Sequence, residues 1–524
     1  MELRHLRYFV AVAETENVSR AALKLHVSQP ALSRQIRDLE DEIGFQLFER
    51  TAKSVSLTNA GRVFLNDARA LLKQADEAVK KAHSVAHPGE TEIHVGSALY
   101  CSFARSSVML KRALPIILAA LLIAPALAQS RRTQPGAPMI PPTSAQRGIV
   151  AQEPAYFPER FDWQHKKPED VGMSTGALAD AVQLAVAADT PGTHDMALFL
   201  KNSFGKEPFD TLIGPIKDRG PASGLITRHG YIVTEWGDPR RVDITNSVTK
   251  TFLTTVVGVA WQKGLIHDVN DYVRDYMPPH VELFESEHNA KIKWDHLLRQ
   301  TSDWQGTLWG KPDWADRPVG DTPDDWAKRK LWEPGTHFKY NDVRVNVMAL
   351  AALQVWRRPL PEVLRENVME PIGASSTWRW YGYQNSWVNI DGQKVQSVSG
   401  GGHWGGGMFI DSYDMARFGY LFLRNGKWKD RTIVSEKWIE MARTPGSDNK
   451  TYGYANWYLN TDRKPLPAAP ATAVRFVGNG SNIIYIDWDN DIVAVFRWIK
   501  SDEALNDVIA KMMSSMQVKT TAAQ

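Results

Sequence analysis

Three serines in this chain are followed, three residues later, by a lysine: Ser203, Ser247 and Ser447. Ser203 and Ser447 lie in stretches punctuated by glycine and proline, which predict loops. Ser247 instead opens an uninterrupted apolar run, SVTKTFLTTVVGVAWQKGL, which predicts a helix. On a helix, Lys250 lies one turn beyond Ser247 on the same face, so its amine reaches the hydroxyl. Only Ser247 therefore has the setting of an activated nucleophile.

The chemistry expected of this pair is nucleophilic catalysis. A serine at a helix N-terminus has backbone N–H groups and the positive end of the helix dipole beside it. A lysine buried among apolar neighbours loses its proton more readily and can act as a base. We predict Ser247 as the nucleophile and Lys250 as the base. Tyr340 closes the turn EPGTHFKY before a predicted helix from Val343 to Trp356, and it can pass a proton to the leaving group.

Two glycine-rich stretches complete the predicted site. SGGGHWGGGMFID, residues 399–411, requires a close approach of the backbone to another part of the molecule. RFVGNGSNIIYIDW predicts an edge strand and a bend, whose backbone N–H joins that of Ser247 in an oxyanion hole. Taken singly, each feature also fits an ordinary structural role, and their order along the chain favours catalysis. The predicted lining of the oxyanion hole and substrate cleft is Gly478, Asn479, Gly480, Asp342, His403 and Trp404.

This order of motifs resembles the serine β-lactamase and penicillin-binding-protein superfamily. Within that group, the stretches HLLRQTSDW, EPGTHFKY, GGHWGGGMFIDSYDMARFG and GNGSNIIYIDWDNDIVAV are similar to the class C-like branch of esterases, D-aminopeptidases and aminohexanoate-oligomer hydrolases. The resemblance covers about residues 160–515. It implies an α/β (α+β) domain with an antiparallel sheet flanked by helices. It also implies acylation of Ser247 with Lys250 as base, Tyr340 as proton shuttle, and water resolving the acyl-enzyme.

Two departures from the family pattern bear on the substrate. Asp342 stands where class C β-lactamases have the asparagine of Tyr-x-Asn. Phe476, Val477 and Gly478 stand where those enzymes have Lys-Thr-Gly on the edge strand. The cation that would hold a β-lactam carboxylate is therefore missing from that strand. The sequence favours an uncharged ester or linear amide as substrate.

The N-terminal segment has the pattern of a DNA-binding domain. Apolar spacing predicts helices from Leu3 to Ala13, from Arg20 to Leu25, and from Gln29 onward after a cap at Ser28. A helix, a tight turn and a second helix with polar side chains at its front are typical of proteins that bind the major groove. ERTAKSVSLT predicts a wing that binds phosphates. The predicted DNA contacts are Ser28, Gln29, Pro30, Ser33, Arg34, Arg37, Arg50 and Lys53.

A small helical domain with a solvated basic face is the alternative, and the ordered string from Ala21 to Arg50, followed by LTNAG, decides against it. That string resembles the winged helix-turn-helix of LysR-type transcriptional regulators. The resemblance implies sequence-specific binding of duplex DNA by a dimer. In that family a linker helix leads into a two-lobed effector domain, and here only residues 89–100 are similar to its first strand.

A signal-like segment separates the two halves. VMLKRALPIILAALLIAPALAQS carries a methionine, a basic pair, an apolar run and a small-x-small end, which is typical of a secretory signal peptide. The predicted divisions are 1–58, a winged helix-turn-helix; 59–86, a linker or dimerisation helix; 87–108, the remnant of an effector-domain strand; 109–128, a signal peptide or anchor; 129–155, a Pro-rich linker; and 156–524, a serine hydrolase domain.

Three accounts of this arrangement stay open. In the first, Met109 begins a secreted or periplasmic hydrolase, to which a fragment of a regulator has been joined. In the second, the whole chain is tethered to the inner membrane through residues 113–128, with the DNA-binding domain in the cytoplasm. In the third, the hydrolase-like domain is a ligand sensor without turnover. All three contain the same two folded units.

Composition adds few constraints. The chain has 524 residues and a net charge of +3, which is too small to indicate a partner. The single cysteine, Cys101, excludes internal disulfides and thiolate clusters, and no His-Glu-x-x-His occurs, so we predict no metal and no cofactor. All 19 tryptophans lie between Trp163 and Trp498, and we expect them to line an apolar cleft.

Overall fold

The computed structural model describes residues 3–15, 17–25, 27, 29–50, 55–65, 67–68, 71–72, 155–320 and 322–516. The chain divides into two compact units, residues 1–150 and 151–524. The predicted strand remnant at 87–108, the signal-like segment at 109–128 and nearly all of the linker lie outside the described residues. Within the described parts, no helix combines the length and the apolar character needed to cross a membrane.

The first unit is a winged helix-turn-helix, as the sequence predicts. Its elements are α1 (Leu3–Thr15), α2 (Val18–Leu25), α3 (Gln29–Ile43) and an antiparallel hairpin of β1 (Phe48–Arg50) and β2 (Val55–Leu57), after which residues 59–65 are helical. Phe9, Leu32 and Leu39 are fully buried where the three helices meet. The buried Glu40 carboxylate accepts the backbone N–H groups of Leu47 and Phe48 at 2.8 and 3.0 Å. This contact ties the base of the wing to α3.

A six-stranded antiparallel sheet forms the centre of the second unit. Its strands are β3 (Ser223–Arg228), β4 (Tyr231–Trp236), β13 (Tyr458–Leu459), β14 (Val474–Gly478), β15 (Asn482–Asp487) and β16 (Ile492–Arg497), in the order β13-β14-β15-β16-β3-β4. Side chains alternate between the two faces of a strand. In β15, Ile483 and Tyr485 therefore pack into one core, and Ile484 and Ile486 into the other. Because both faces are covered, the strand sequences are almost continuously apolar.

Helices cover the two faces of this sheet. One face packs against the first and last helices of the unit, α4 (Thr175–Ala187) and α13 (Asp502–Ser514). The other face packs against α11 (Ser412–Leu423), behind which lie α6 (Thr249–Gln262) and α9 (Asp342–Trp356). The remaining α-helices in the described part of this unit are α5 (Met196–Phe204), α7 (Trp294–Leu298), α8 (Pro323–Ala327), α10 (Leu360–Leu364) and α12 (Glu436–Arg443).

A smaller antiparallel sheet borders the helical layer. It contains β5 (Asp243–Ile244), β8 (Arg379–Ile390), β9 (Gln393–Val398) and β10 (Gly407–Ile410), in the order β5-β10-β8-β9. Two further hairpins are formed by β6 (Thr307–Leu308) with β7 (Lys311–Pro312), and by β11 (Lys427–Trp428) with β12 (Arg431–Thr432). Helix α6 is almost wholly buried, which fixes the position of the residues at its N-terminus.

Candidate active site

Ser247 lies in a single 3₁₀ turn, Asn246–Val248, directly before α6. The sequence predicts a helix that starts at this serine, and the regular α-helix begins two residues later, at Thr249. Asn246 adopts a left-handed backbone conformation with φ of 48°, which is uncommon for a residue with a side chain. Its side-chain amide donates to the carbonyl of Asn479 at 2.9 Å. This contact holds the sharp bend that places Ser247 at the front of the helix.

Lys250 is completely buried beneath Ser247. Its Nζ donates to Ser247 Oγ at 2.8 Å and to Asp342 Oδ1 at 2.6 Å. Burial lowers the pKa of Lys250, and the Asp342 carboxylate opposes that shift without cancelling it. A lysine with a lowered pKa in hydrogen-bond contact with a hydroxyl has the geometry of a general base.

The other two Ser-x-x-Lys sequences have different surroundings. Ser203 lies in the last turn of α5, where its Oγ donates to the carbonyl of Phe199 at 2.9 Å. Ser447 and Lys450 are exposed in a loop that follows α12. The hydrogen bond from lysine to serine is thus found in the Ser-x-x-Lys motif that the sequence favours, Ser247–Lys250.

Tyr340 stands beside this pair, one residue before Asn341, which caps α9. The centre of its ring lies 4.6 Å from Lys250 Nζ and 4.8 Å from the guanidinium carbon of Arg317. Burial raises the pKa of Tyr340 well above its usual value. The phenol therefore keeps its proton at neutral pH and is able to donate it.

The end of β14 passes against the backbone of Ser247. A Cβ atom at Gly478 would lie 1.8 Å from the carbonyl oxygen of Thr245 and 3.1 Å from the backbone nitrogen of Ser247, so only glycine fits there. Asn479 and Gly480 continue into the bend, where Gly480 has a φ of 75°. The sequence predicts an edge strand, whereas the structure places the short β13 beside the first two residues of β14. Among the described residues, the end of β14 that meets Ser247 has no paired strand on the β13 side, so the predicted edge is confined to that end.

A cleft of about 450 Å³ opens above these groups. Its walls are Phe204, Ser247, Arg317, Phe338, Tyr340, Asn449, Thr451, Tyr452, Tyr458, Val477, Gly478, Asn479, Gly480 and Ser481. The expectation that tryptophans line the cleft is wrong, because its aromatic walls are phenylalanine and tyrosine. Large tryptophans such as Trp294, Trp438 and Trp457 fill the core instead. Arg317 is the one charged residue among the lining residues.

In the first unit, five of the eight predicted DNA-contacting residues lie on α3. Gln29, Pro30 and Arg37 are exposed, and Gln29 Nε2 donates to Ser33 Oγ at 2.9 Å. Gln29, Ser33 and Arg37 are spaced four residues apart, so they share one face of the helix, with Arg34 beside them. Ser28 and Lys53 lie outside the described residues, as does the side chain of Arg50.

Comparison with known proteins identifies both units. Residues 3–62 match the family of bacterial regulatory helix-turn-helix proteins of the lysR type, and residues 244–504 match the β-lactamase family. The chain joins a LysR-type helix-turn-helix domain to a β-lactamase-family serine hydrolase domain. The solved structures that are similar to the first unit include the DNA-binding domains of BenM and CbnR, each in complex with DNA.

Individual relatives match one domain or the other. The Hca operon transcriptional activator HcaR of Escherichia coli (strain K12) is 58% identical over 85 residues, which are 16% of this chain and 29% of HcaR. The CbnR DNA-binding domain in complex with DNA is 45% identical and covers 17% of this chain and 100% of its own, with a TM-score of 0.16. EstCE1, a hydrolase with promiscuous acyltransferase activity, is 16% identical and covers 65% of this chain and 98% of its own, with a TM-score of 0.44. The chain spans 29–41% of the first three curated relatives that it matches.

In the β-lactamase-family domain, Asp342 lies beneath the cleft rather than in its wall. Its Oδ1 accepts from Lys250, and its Oδ2 accepts from Arg317 at 3.3 Å. Nδ1 of His403 lies 3.6 Å from the same Oδ2. Burial alone would raise the pKa of Asp342, but Lys250, His403 and Arg317 hold that pKa below its ordinary value. The carboxylate is therefore ionised at neutral pH.

His403 and Trp404 are also buried and do not line the cleft. His403 Nε2 contacts Glu207 Oε2 at 2.7 Å, and its Nδ1 lies 3.9 Å from Asp316 Oδ1. Burial disfavours the imidazolium, but Asp316, Asp342 and Glu207 outweigh it and raise the pKa of His403 to about 9. No sequence pattern indicates Glu207, Asp316 or Arg317, since each comes from a loop without a recognisable motif.

Glu207, Asp316 and His403 are the one set of metal-ligand side chains that converges in the described part of the chain, with donor atoms within 4.8 Å of one another. Each of them already has a partner in the protein, because Glu207 bonds His403 and Asp316 pairs with Arg317. Asp316 also accepts the backbone N–H of Asp342. The arrangement fits a network of ion pairs.

The glycines of residues 399–411 allow the backbone to pass over this network. A Cβ atom at Gly401 would lie 1.7 Å from Asp342 Oδ1 and 2.4 Å from Lys250 Nζ. At Gly405, a Cβ would lie 2.6 Å from the carbonyl oxygen of Gly214. The close approach that the sequence predicts is thus an approach to the buried lysine–carboxylate pair.

We expect Gly401→Ala to lower the free energy of unfolding by about 3 kcal/mol, because the added methyl group overlaps a buried ion pair that cannot move away. Chemical denaturation followed by tryptophan fluorescence measures this, since every tryptophan lies in the β-lactamase-family domain. Gly176→Ala is the matched control: a Cβ there meets nothing closer than Ser174 Oγ at 4.0 Å, and stability should not fall. Equal stability of the two variants would contradict the packing described here.

Proposed function

We propose that the β-lactamase-family domain hydrolyses an ester or a linear amide through an acyl-enzyme on Ser247. The observation that carries the proposal is the contact of 2.8 Å between Lys250 Nζ and Ser247 Oγ, made by an amine that has no exposed surface. An amine buried in this way gives up its proton more easily than one in water. A neutral Lys250 is then able to take the proton of the serine hydroxyl.

The steps follow from the positions of the side chains. Ser247 Oγ attacks the substrate carbonyl carbon as its proton moves to Lys250, and the carbonyl oxygen becomes negatively charged. Backbone N–H groups of Ser247 and of the β14 end at Gly478 stabilise that oxygen. The tetrahedral intermediate collapses as Tyr340 protonates the departing alcohol or amine. Water then attacks the acyl-enzyme by the same sequence in reverse, which releases the acid and restores Ser247.

The charges around the cleft support a neutral substrate. Arg317 is already paired with Asp316 and Asp342, so its charge is largely compensated. Phe476, which stands at the position of the lysine in Lys-Thr-Gly, is fully buried and uncharged, and the neighbouring Val477 lines the cleft. The remaining walls are aromatic rings and uncharged polar groups. An ester or amide without a charge near the scissile bond fits these surroundings best.

We expect Ser247→Ala to lower kcat for a short-chain nitrophenyl ester by at least about 10³-fold, because the acyl-enzyme cannot form. The chain offers matched controls in Ser203→Ala and Ser447→Ala, which remove the serines of the other two Ser-x-x-Lys sequences. Both should keep turnover within about twofold of the parent chain. Undiminished turnover in Ser247→Ala would refute the proposal.

We expect Tyr340→Phe to lower kcat by about 10²-fold, because the leaving group loses its proton donor. The loss should grow as the leaving group becomes more basic, so alkyl esters should suffer more than nitrophenyl esters. Tyr381→Phe, at an exposed position in β8, is the control and should change neither rate. An equal loss for both kinds of ester would argue against proton donation by Tyr340.

We further propose that the LysR-type domain binds a specific duplex sequence as a dimer through α3. The helix face formed by the exposed Gln29 and Arg37 and the half-buried Ser33 supports this, since polar side chains on such a face are able to reach base edges in the major groove. Arg34 lies beside that face. The hairpin of β1 and β2 flanks the same domain and is suited to contact the phosphate backbone.

We expect the double variant Gln29→Ala/Arg34→Ala to weaken binding at least about tenfold, because two side chains are withdrawn from the base edges. The probe is a duplex that the parent chain selects from a randomised pool, and gel shift measures Kd at one fixed salt concentration. Gln46→Ala/Arg62→Ala changes the same residue types outside α3 and should bind as the parent chain does. An unchanged Kd in the first variant would exclude α3 as the reading helix.

A further inference from the structure

The buried charges beneath Ser247 form one continuous set. Lys250 bonds Asp342 Oδ1, while Arg317 and His403 face Asp342 Oδ2 at 3.3 and 3.6 Å. On its far side, His403 contacts the Glu207 carboxylate at 2.7 Å. His403 itself is 5% exposed and lies outside the cleft wall, so it cannot touch a substrate there. Nothing in the proposed acyl-transfer steps uses it.

Burial raises the pKa of Asp316, while His403 and the paired Arg317 favour its ionised form. With Asp316 ionised, the formal charges of this set balance only when His403 is protonated. Three carboxylates, Glu207, Asp316 and Asp342, meet three cationic groups, Lys250, Arg317 and His403. When Lys250 gives up its proton to act as base, one negative charge is left in excess. Without the charge of His403, that excess would be two. An excess of negative charge in a poorly solvated interior favours the protonated form of a neighbouring amine.

We propose that His403 is a positioning residue that acts through Asp342: its positive charge offsets the buried carboxylates and so allows Lys250 to be neutral when Ser247 attacks. This inference rests on the proposed function, because it concerns the base of that reaction. The raised pKa of His403, about 9, agrees with it, since the imidazole then carries its charge throughout the neutral range. Nε2 held by Glu207 fixes the ring so that Nδ1 is directed to Asp342.

Other titratable and charged groups surround both His403 and Lys250. The groups that face His403 are Glu207, Asp316 and Asp342, and its ring neighbours Phe204 and Trp404 do not titrate. The groups that face Lys250 are Asp342, Tyr340, Arg317 and Asp316. Arg317 keeps its charge at every accessible pH, and Tyr340 keeps its proton up to high pH. His403 is therefore the cation in this set whose removal is the simplest to test.

The experiment is the pH profile of kcat/KM for a short-chain nitrophenyl ester in His403→Gln. The acidic limb of that profile reports the ionisation of the base in the free enzyme. Loss of the imidazolium raises the pKa of Lys250, so the limb should move to higher pH by about one unit. At a pH on the limb, kcat/KM should fall about tenfold, while the alkaline plateau should stay within about threefold of the parent chain.

A second variant separates charge from packing. His403→Gln/Glu207→Gln removes one positive and one negative charge, and two glutamines are able to keep a hydrogen bond between these positions. Its acidic limb should return to within about 0.3 units of the parent value. A limb that stays in place in His403→Gln would overturn the proposal, as would a double variant displaced as far as the single one. A uniform loss of activity at all pH values would do the same, because it would indicate packing alone.

The failure of this inference is distinguishable from failure of the proposed function. Turnover that survives in Ser247→Ala refutes the acyl-enzyme itself, whatever the pH profiles show. An inactive Ser247→Ala together with an unmoved limb in His403→Gln refutes only the role of His403.

Discussion

Lys250 is an ammonium group with no exposed surface, held between the hydroxyl of Ser247 and the carboxylate of Asp342. Removing such a charge from water costs several kcal/mol, so it survives in the interior only beside a compensating carboxylate. Burial and that carboxylate shift the pKa of Lys250 in opposite directions, and burial prevails. The amine therefore releases its proton more readily than a lysine in water does. Much of the surrounding structure serves to maintain that balance.

The first consequence is that backbone, rather than side chains, closes around the pair. Gly401 passes so near to Asp342 and Lys250 that a methyl group has no room, and Gly478 meets the backbone of Ser247 in the same way. Glycine loses more conformational freedom on folding than any other residue. Glycine is nevertheless required at these two positions, because a side chain at Gly401 would separate the ion pair and one at Gly478 would displace the nucleophile. The left-handed Asn246 is a similar local cost at the same place.

The elements that the sequence predicts well are those whose parts lie close together in the chain. Ser247 and Lys250 lie one helical turn apart, and apolar runs separated by a bend predict the strands around Gly478. Likewise, the helix-turn-helix follows from caps and periodicity within fewer than fifty residues. Glu207 and Arg317 are different: they reach the site from loops more than a hundred residues apart, and nothing local marks them. The tryptophans show the converse limit, because their apolar character predicts burial without saying whether core or cleft buries them.

The carboxylate of Asp342 connects these observations. An asparagine at this position, as in Tyr-x-Asn, would bond the lysine without adding charge. An aspartate adds a negative charge at 2.6 Å from Nζ, which favours the protonated form of Lys250 and so opposes its action as a base. Arg317 and His403 both lie against the second oxygen of that carboxylate, on the side away from the lysine. Asp342 departs from the family motif, and no sequence motif indicates that Arg317 and His403 lie against it. The three residues nevertheless form one arrangement, because Asp342 would impair catalysis without the two cations.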